Sequence, residues 1–514
     1  MRVEEIKDIL RLAGRFSNGK TSTLDLKKLE SEDSKLARFY KAIKNAKGDA
    51  LDNEISHLVY GESEVGSRYM FLKSHFTNQV MNLIITSDLE RFTESRLTQG
   101  IYKTYKLFLL SVIFERSGSV KASKVIAQKT FRLSERYQLQ SIGIQLLETL
   151  RRYALLEGQE KLCEKYTTEI TTKISLLKDE TEVRSLDYKI RIRFPKLLVS
   201  STIVQKELRK LLNRATEIRT RNRANYYIQL TSLRIEYMCC QLLGEMQKSI
   251  QACKHARNYI QGQQLFYSKT RMGEFSLYEF ENYLILRDYR SGEMLAKECD
   301  HYILRGSDPW FTYKQYHFLL AMQTEQFDVA TQVYQEVVNH ERFRSQLGHL
   351  IERWGIFKLY VDYVSLVSNA PQAREQAKAA SLLRYKKYRE RVKQFPTYSK
   401  DKSGFNVSIL LINIMLLLES NRRGDLVEQM EALATYKSRY LRTSGVNQTA
   451  VLFKLLRIMV TENFDYDRIK KKTAPYEKEL LSLRQSPEEM IEGLQILPPQ
   501  WIWNRVLFLL EKFN

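Results

Sequence analysis

The chain has 514 residues and a formal net charge of +22, from 82 Lys and Arg against 60 Asp and Glu, with only 20 Gly and 8 Pro. Collagen-like and low-complexity chains are excluded by that composition, and 43% apolar with 11% aromatic residues argues against disorder. One compact core cannot absorb this length, which leaves several domains or a drawn-out stack, and sandwiches or barrels would need more Gly and Pro turns.

The N-terminus carries Arg2, Glu4, Glu5, Lys7 and Asp8 where a signal peptide needs an apolar core, so a cytoplasmic location is expected. Val3, Ile6, Ile9, Leu10 and Leu12 follow the spacing of one helix face. Gly14, Gly19, Lys20 and Thr21 then fit the phosphate-loop spacing G-x-x-x-x-G-K-[ST], in which the lysine reaches the terminal phosphates and the threonine holds Mg²⁺. That motif must follow a buried strand. Here it follows an amphipathic helix, so a polar helix–helix turn is expected and no cofactor is assigned. Residues 1–95 lack regular breaks and read as an N-terminal helical cap.

From residue 96 long helical stretches stop at short turns and restart at once, at Gly118, Gly158, Gly244, Ser291-Gly292, Phe327-Asp328 and Gly424-Asp425. Gly118 to Gly158 is 40 residues, Gly244 to Gly292 is 48, and Gly158 to Gly244 is 86, about twice the unit. Such periods predict stacked helical hairpins. Asp308 before Pro309 reads as an N-cap and first helical residue. The most apolar run, Phe405 to Leu418, is shorter than the roughly 20 residues of a membrane span and predicts a buried helix. The segment from Leu497 through Trp501 and Trp503 to Leu510 is apolar on more than one face and reads as a buried terminal helix, with a docking peptide as the alternative.

Charge is concentrated. Residues 191–223 hold ten Lys and Arg, among them Arg209, Lys210, Arg214, Arg219, Arg221 and Arg223, against Glu207 and Glu217. Residues 384–402 hold eight, among them Lys386, Lys387, Arg389 and Arg391, against Glu390 and Asp401. Tyrosines adjoin both runs. Cations neutralise phosphates and tyrosine faces stack on unpaired bases, so these ten residues are candidate contacts for RNA, ssDNA or an acidic partner; a solvated basic face is the alternative. The cysteines are five, sparse and odd in number, as in a reducing compartment. Cys239, Cys240, Cys253 and His255 lack paired C-x-x-C spacing, and the adjacent pair points about 100° apart on a helix, so buried thiols are expected rather than a zinc site.

Two resemblances follow. Tyr316 to Val338, with Ala330, Tyr334 and Val337 at second-helix positions, resembles a tetratricopeptide repeat, and Leu107, Leu110, Ser111, Phe114 and Gly118 look like its first-helix pattern. The resemblance implies a right-handed α-solenoid over residues 96–370, with residues 371–514 continuing or capping it, and hence a non-enzymatic scaffold that holds a peptide or protein partner in a helical groove. The spacings depart from that family, and its closing proline is absent from most units. Arg344 and His349 fit the R-x4–6-H spacing of the HEPN ribonucleases, in which Arg steadies a phosphate and His moves a proton. The family's four-helix pattern is not evident, and no catalytic residue or metal ligand is assigned.

Overall fold

The computed structural model describes residues 1–14, 25–46, 50–61, 64–87, 93, 95–193, 202–346, 348–368, 405–440, 448–483 and 496–513. The described residues form 22 α-helices and no strand. None of these helices is long and apolar enough to cross a membrane. The chain divides into two compact units, Met1–Glu180 and Thr181–Asn514.

In the first unit α1 (Val3–Gly14), α2 (Leu26–Ser31), α3 (Lys35–Asn45), α4 (Asp52–Tyr60) and α5 (Ser67–Thr86) enclose a core around Ile6, Phe39, Ile43, Tyr69 and Phe76. The α1 stripe is one wall: Val3, Ile6 and Leu10 are buried, but Leu12 faces solvent. Next come α6 (Arg96–Arg116), α7 (Val120–Arg136), α8 (Gln140–Leu156) and the long α9 (Glu160–Arg193), whose residues after Glu180 belong to the second unit; Ala127, Ile142, Leu146 and Leu150 form a core cluster of α7 and α8. Helix α6 turns only small residues, Gly100, Thr104 and Ser111, fully inward. Gly100 is needed for that approach, because a Cβ there would lie 1.9 Å from the Tyr137 ring.

The second unit continues with α10 (Thr202–Arg221), α11 (Tyr226–Leu242), α12 (Met246–Gly262), α13 (Lys269–Leu286), α14 (Tyr289–Tyr302), α15 (Asp308–Gln323), α16 (Phe327–Val338) and α17 (Gly348–Ser368). After these come α18 (Phe405–Glu419), α19 (Arg423–Tyr440), α20 (Gln448–Thr461), α21 (Tyr466–Ser482) and α22 (Pro499–Phe513). Each helix from α10 to α17 packs on the next, and α13 also packs on α15. One apolar core runs through Phe280, Trp310, Tyr313, Phe318, Trp354 and Phe357 to Leu411, Leu456 and Trp503. Ala330 and Val337 of α16 are buried in it, and the Tyr334 ring lies 6.2 Å from Trp354. Helix α18 is apolar all round because it is surrounded. Tyr360 donates to the Ser408 carbonyl at 2.7 Å, and Glu419 accepts from Tyr363 at 3.1 Å and Arg505 at 2.8 Å.

One turn geometry recurs. At eight turns a residue with positive φ ends the helix: Gly118, Gln138, Gly158, Gly244, Arg287, Glu325, Asn421 and Asn463. In each, the following N–H reaches back to the carbonyl five residues earlier, as from Ser119 to Phe114, Glu245 to Cys240 and Gln326 to Ala321. This is the Schellman closure, which satisfies the carbonyls left open at a helix end. Three breaks expected from the sequence are displaced. The turn assigned to Gly292 lies at Arg287, and Gly292 is inside α14, where a Cβ would meet Leu320 at 2.3 Å. The turn assigned to Phe327-Asp328 lies at Glu325, and that assigned to Gly424 lies at Asn421. Likewise Ser307, not Asp308, is the N-cap of α15, accepting from the Trp310 N–H at 3.4 Å.

A side chain in the left-handed region costs about 1–2 kcal/mol, partly offset by the greater unfolded-state freedom of glycine. Glu325→Gly is therefore expected to stabilise the second unit by about 1 kcal/mol, and Gly244→Ala to destabilise it by a similar amount. Urea titration followed by fluorescence measures both, and a Glu325→Gly variant no more stable than its parent would contradict this account of the turns.

Candidate functional site

The described part of the basic run from Thr202 to Arg221 forms α10, while Arg191 and Arg193 end α9, and the arginines of α10 are committed. Arg214 holds Glu182 of α9 through Nε at 2.5 Å and Nη2 at 2.9 Å, and Glu217 through Nη1 at 2.8 Å. Its hydrogen bonds to those two carboxylates raise its pKa, so it stays a fixed cation. Arg209 pairs with Glu245 at 2.8 Å, Arg219 with Glu236 of α11 at 2.6 Å, and Arg221 with Glu217 at 3.6 Å. The pairs with Glu182, Glu236 and Glu245 tie α10 to other elements, and those with Glu217 lie within α10. Lys210 and Arg223 are exposed. The candidates Lys386, Lys387, Arg389 and Arg391 lie outside the described residues.

A second arrangement was not anticipated from the sequence. It crosses α11, α13, α15 and α17. Asp187 of α9, only 2% exposed, takes a fork from Arg234 of α11 at 2.9 and 3.1 Å, and Arg191 at 3.2 Å. Burial alone would lower the Arg234 pKa; the hydrogen bonds and charge of Asp187 more than reverse this. Arg234 also reaches Glu274 of α13 at 3.3 Å, and Glu274 accepts from Tyr278 at 2.9 Å. The Tyr278 ring stacks on Tyr237, 4.6 Å between centroids, and Tyr237 donates to Glu281 at 2.6 Å. Tyr316 of α15 lies near Glu281 and near Arg353 of α17, which donates to Gln315 at 2.5 Å. Arg234, Glu274, Tyr278, Glu281, Tyr316 and Arg353 are all half-buried. They make a row of charged and aromatic side chains, most of them tied to a neighbour by their polar tips and each only partly exposed. The signal in the sequence was Glu274, Tyr278 and Glu281 at i, i+4 and i+7 on one helix.

Burial raises the Glu281 pKa above its ordinary 4.5, against the lowering effect of the Tyr237 and Gln241 hydrogen bonds. The folded chain therefore holds this proton longer than the unfolded chain. Its stabilising contribution is complete below pH 4.5 and is lost as pH rises through the folded-state value. Glu281→Gln is expected to flatten the pH dependence of stability above that point and to be at least as stable as the parent at pH 7. A steeper fall with pH in the variant would contradict the assignment.

Other sequence candidates separate. Burial pushes the thiols of Cys239 and Cys240 up to about 12 and about 11, and that of Cys253 up as well, while His255 is exposed. Among the described residues no group of three or more His, Cys, Asp or Glu is arranged to hold a metal ion. Arg344 is exposed in the short turn Glu341–Ser345, and the side chain of His349 lies outside the described residues. So do residues 15–24, which carry the Gly19, Lys20 and Thr21 spacing. Comparison with known proteins gives no matching family model, no similar curated protein and no similar solved structure.

Proposed function

We propose that the chain is a non-enzymatic interaction scaffold. Its helical pairs over residues 96–370 form a right-handed α-solenoid of tetratricopeptide-like character with helical caps at both ends, and a peptide or protein partner lies along the Arg234–Arg353 row. The row itself carries this reading. Side chains of alternate helices, held by their neighbours and partly exposed, suit recognition of an extended ligand at low entropic cost. The tying of α10's arginines to carboxylates supports it further, because charges already neutralised contribute less to phosphate binding. Lys210 and Arg223 are what sustain a second reading, in which the chain binds RNA or ssDNA.

A tagged pull-down from native lysate, with and without nuclease, tests both. A partner retained after nuclease, released by Arg353→Glu and kept by the Lys210→Glu, Arg223→Glu double variant supports the scaffold. Nucleic acid that co-purifies and is lost in the double variant supports the second reading. Reversing Arg219 or Arg221 would not discriminate, since each would then face a glutamate. A partner indifferent to Arg353→Glu would remove the row as the site.

A further inference from the structure

We propose that the outward face of α6 is a docking surface for an acidic amphipathic helix of another protein. Opposite its small inward residues α6 presents Tyr102, Tyr105, Leu109 and Ile113, at 37%, 54%, 53% and 51% exposure. Their spacing of three, four and four residues is one continuous helical stripe. The solvent-facing side of a packed helix is normally polar; a stripe of two tyrosines and two aliphatic residues is instead the face one helix offers another. On its inner side α6 approaches Tyr137 closely at Gly100.

The charges around the stripe decide the occupant. Arg96, Lys103 and Arg116 are exposed on the same helix, and Lys106 donates to the Ser87 carbonyl at 2.9 Å. The one carboxylate of α6, Glu115, is engaged by Arg152. A helix with apolar residues at i, i+3, i+4 and i+7 and glutamates or aspartates on its flanks matches both the stripe and its rim. A second copy of this chain does not. Packing α6 on α6 would set Lys103 and Arg116 against the same cations, and like-charge juxtaposition disfavours the pairing.

The test uses fluorescein-labelled 20-residue helical probes and the full chain. One probe has a Leu/Phe stripe flanked by Glu, the second the same stripe flanked by Lys, and the third keeps Glu with the stripe scrambled. Anisotropy is expected to show the Glu-flanked probe binding about tenfold or more tighter than either other. Leu109→Glu should weaken it by at least about tenfold, since it places a charge at the centre of the contact. Lys103→Glu, at an exposed site that does not bear on folding, should shift preference toward the Lys-flanked probe. Equal affinity for the Glu- and Lys-flanked probes, or indifference to Leu109→Glu, would overturn the proposal. So would self-association in sedimentation equilibrium that Leu109→Glu abolishes, which would make the occupant a second copy. Arg353→Glu is expected to leave probe binding unchanged, so failure here is separable from failure of the row on the second unit.

Discussion

Asp187→Ala is expected to cost the second unit about 3–5 kcal/mol, the range for breaking a buried ion pair from one side. The carboxylate is 2% exposed and holds both Arg234 and Arg191, so its removal strands a guanidinium fork among packed helices. Glu274 recovers only part of the loss, because it meets Arg234 at a single nitrogen 3.3 Å away. All four tryptophans, Trp310, Trp354, Trp501 and Trp503, lie in the second unit, so fluorescence reports its unfolding selectively. Asp187→Leu combined with Arg234→Met should recover most of the stability, since replacing both partners removes the charges together. If the double variant is no better than Asp187→Ala, the loss belongs to packing rather than to the stranded cation. Even a stable double variant is expected to lose the partner, because Arg234 begins the row.

The second large effect is expected at Trp503. Its side chain is fully buried against α20 and α21, and its Nε1–H donates to Glu477 at 2.9 Å, where the Thr473 hydroxyl donates as well. Trp503→Ala removes the largest buried side chain of α22 and opens a cavity in the apolar core, at a cost of about 3–5 kcal/mol. Trp503→Phe keeps most of the volume and loses the indole hydrogen bond, at about 1 kcal/mol. Comparing the two by calorimetry separates packing from polar anchoring. Equal losses would mean that the hydrogen bond dominates. With Ile496, Leu497, Ile502, Val506, Leu509 and Leu510 also buried, this segment is part of the core rather than a free docking peptide; Phe508 remains outside it.

The helices were legible because apolar residues at a period of 3.6 need no knowledge of their partners. The stripe of α1, the surrounded α18 and the terminal α22 all read directly. The turns were legible only where glycine marks them, at Gly118, Gly158 and Gly244. At Arg287 and Glu325 the left-handed residue is an ordinary one, and the hydrogen bonds that hold it belong to the backbone. Gly292 misled for the opposite reason: it serves close packing on Leu320. The basic run was visible as charge, but what decides its role is Glu182, Glu236 and Glu245, which come to it from other helices. The row was missed because its members contact one another across α9 to α17, and a single sequence carries no record of such pairing.

The eight left-handed turns bear on descent. Where closure rests on backbone hydrogen bonds, a lineage can exchange the turn glycine for Gln, Arg, Glu or Asn at about 1 kcal/mol a time and keep the hairpin. Substitutions of that size are readily offset elsewhere. Neutral drift can thus erase the spelling of each hairpin while its geometry is inherited, and kinship between two such proteins is better sought by superposing their turns than by aligning their letters.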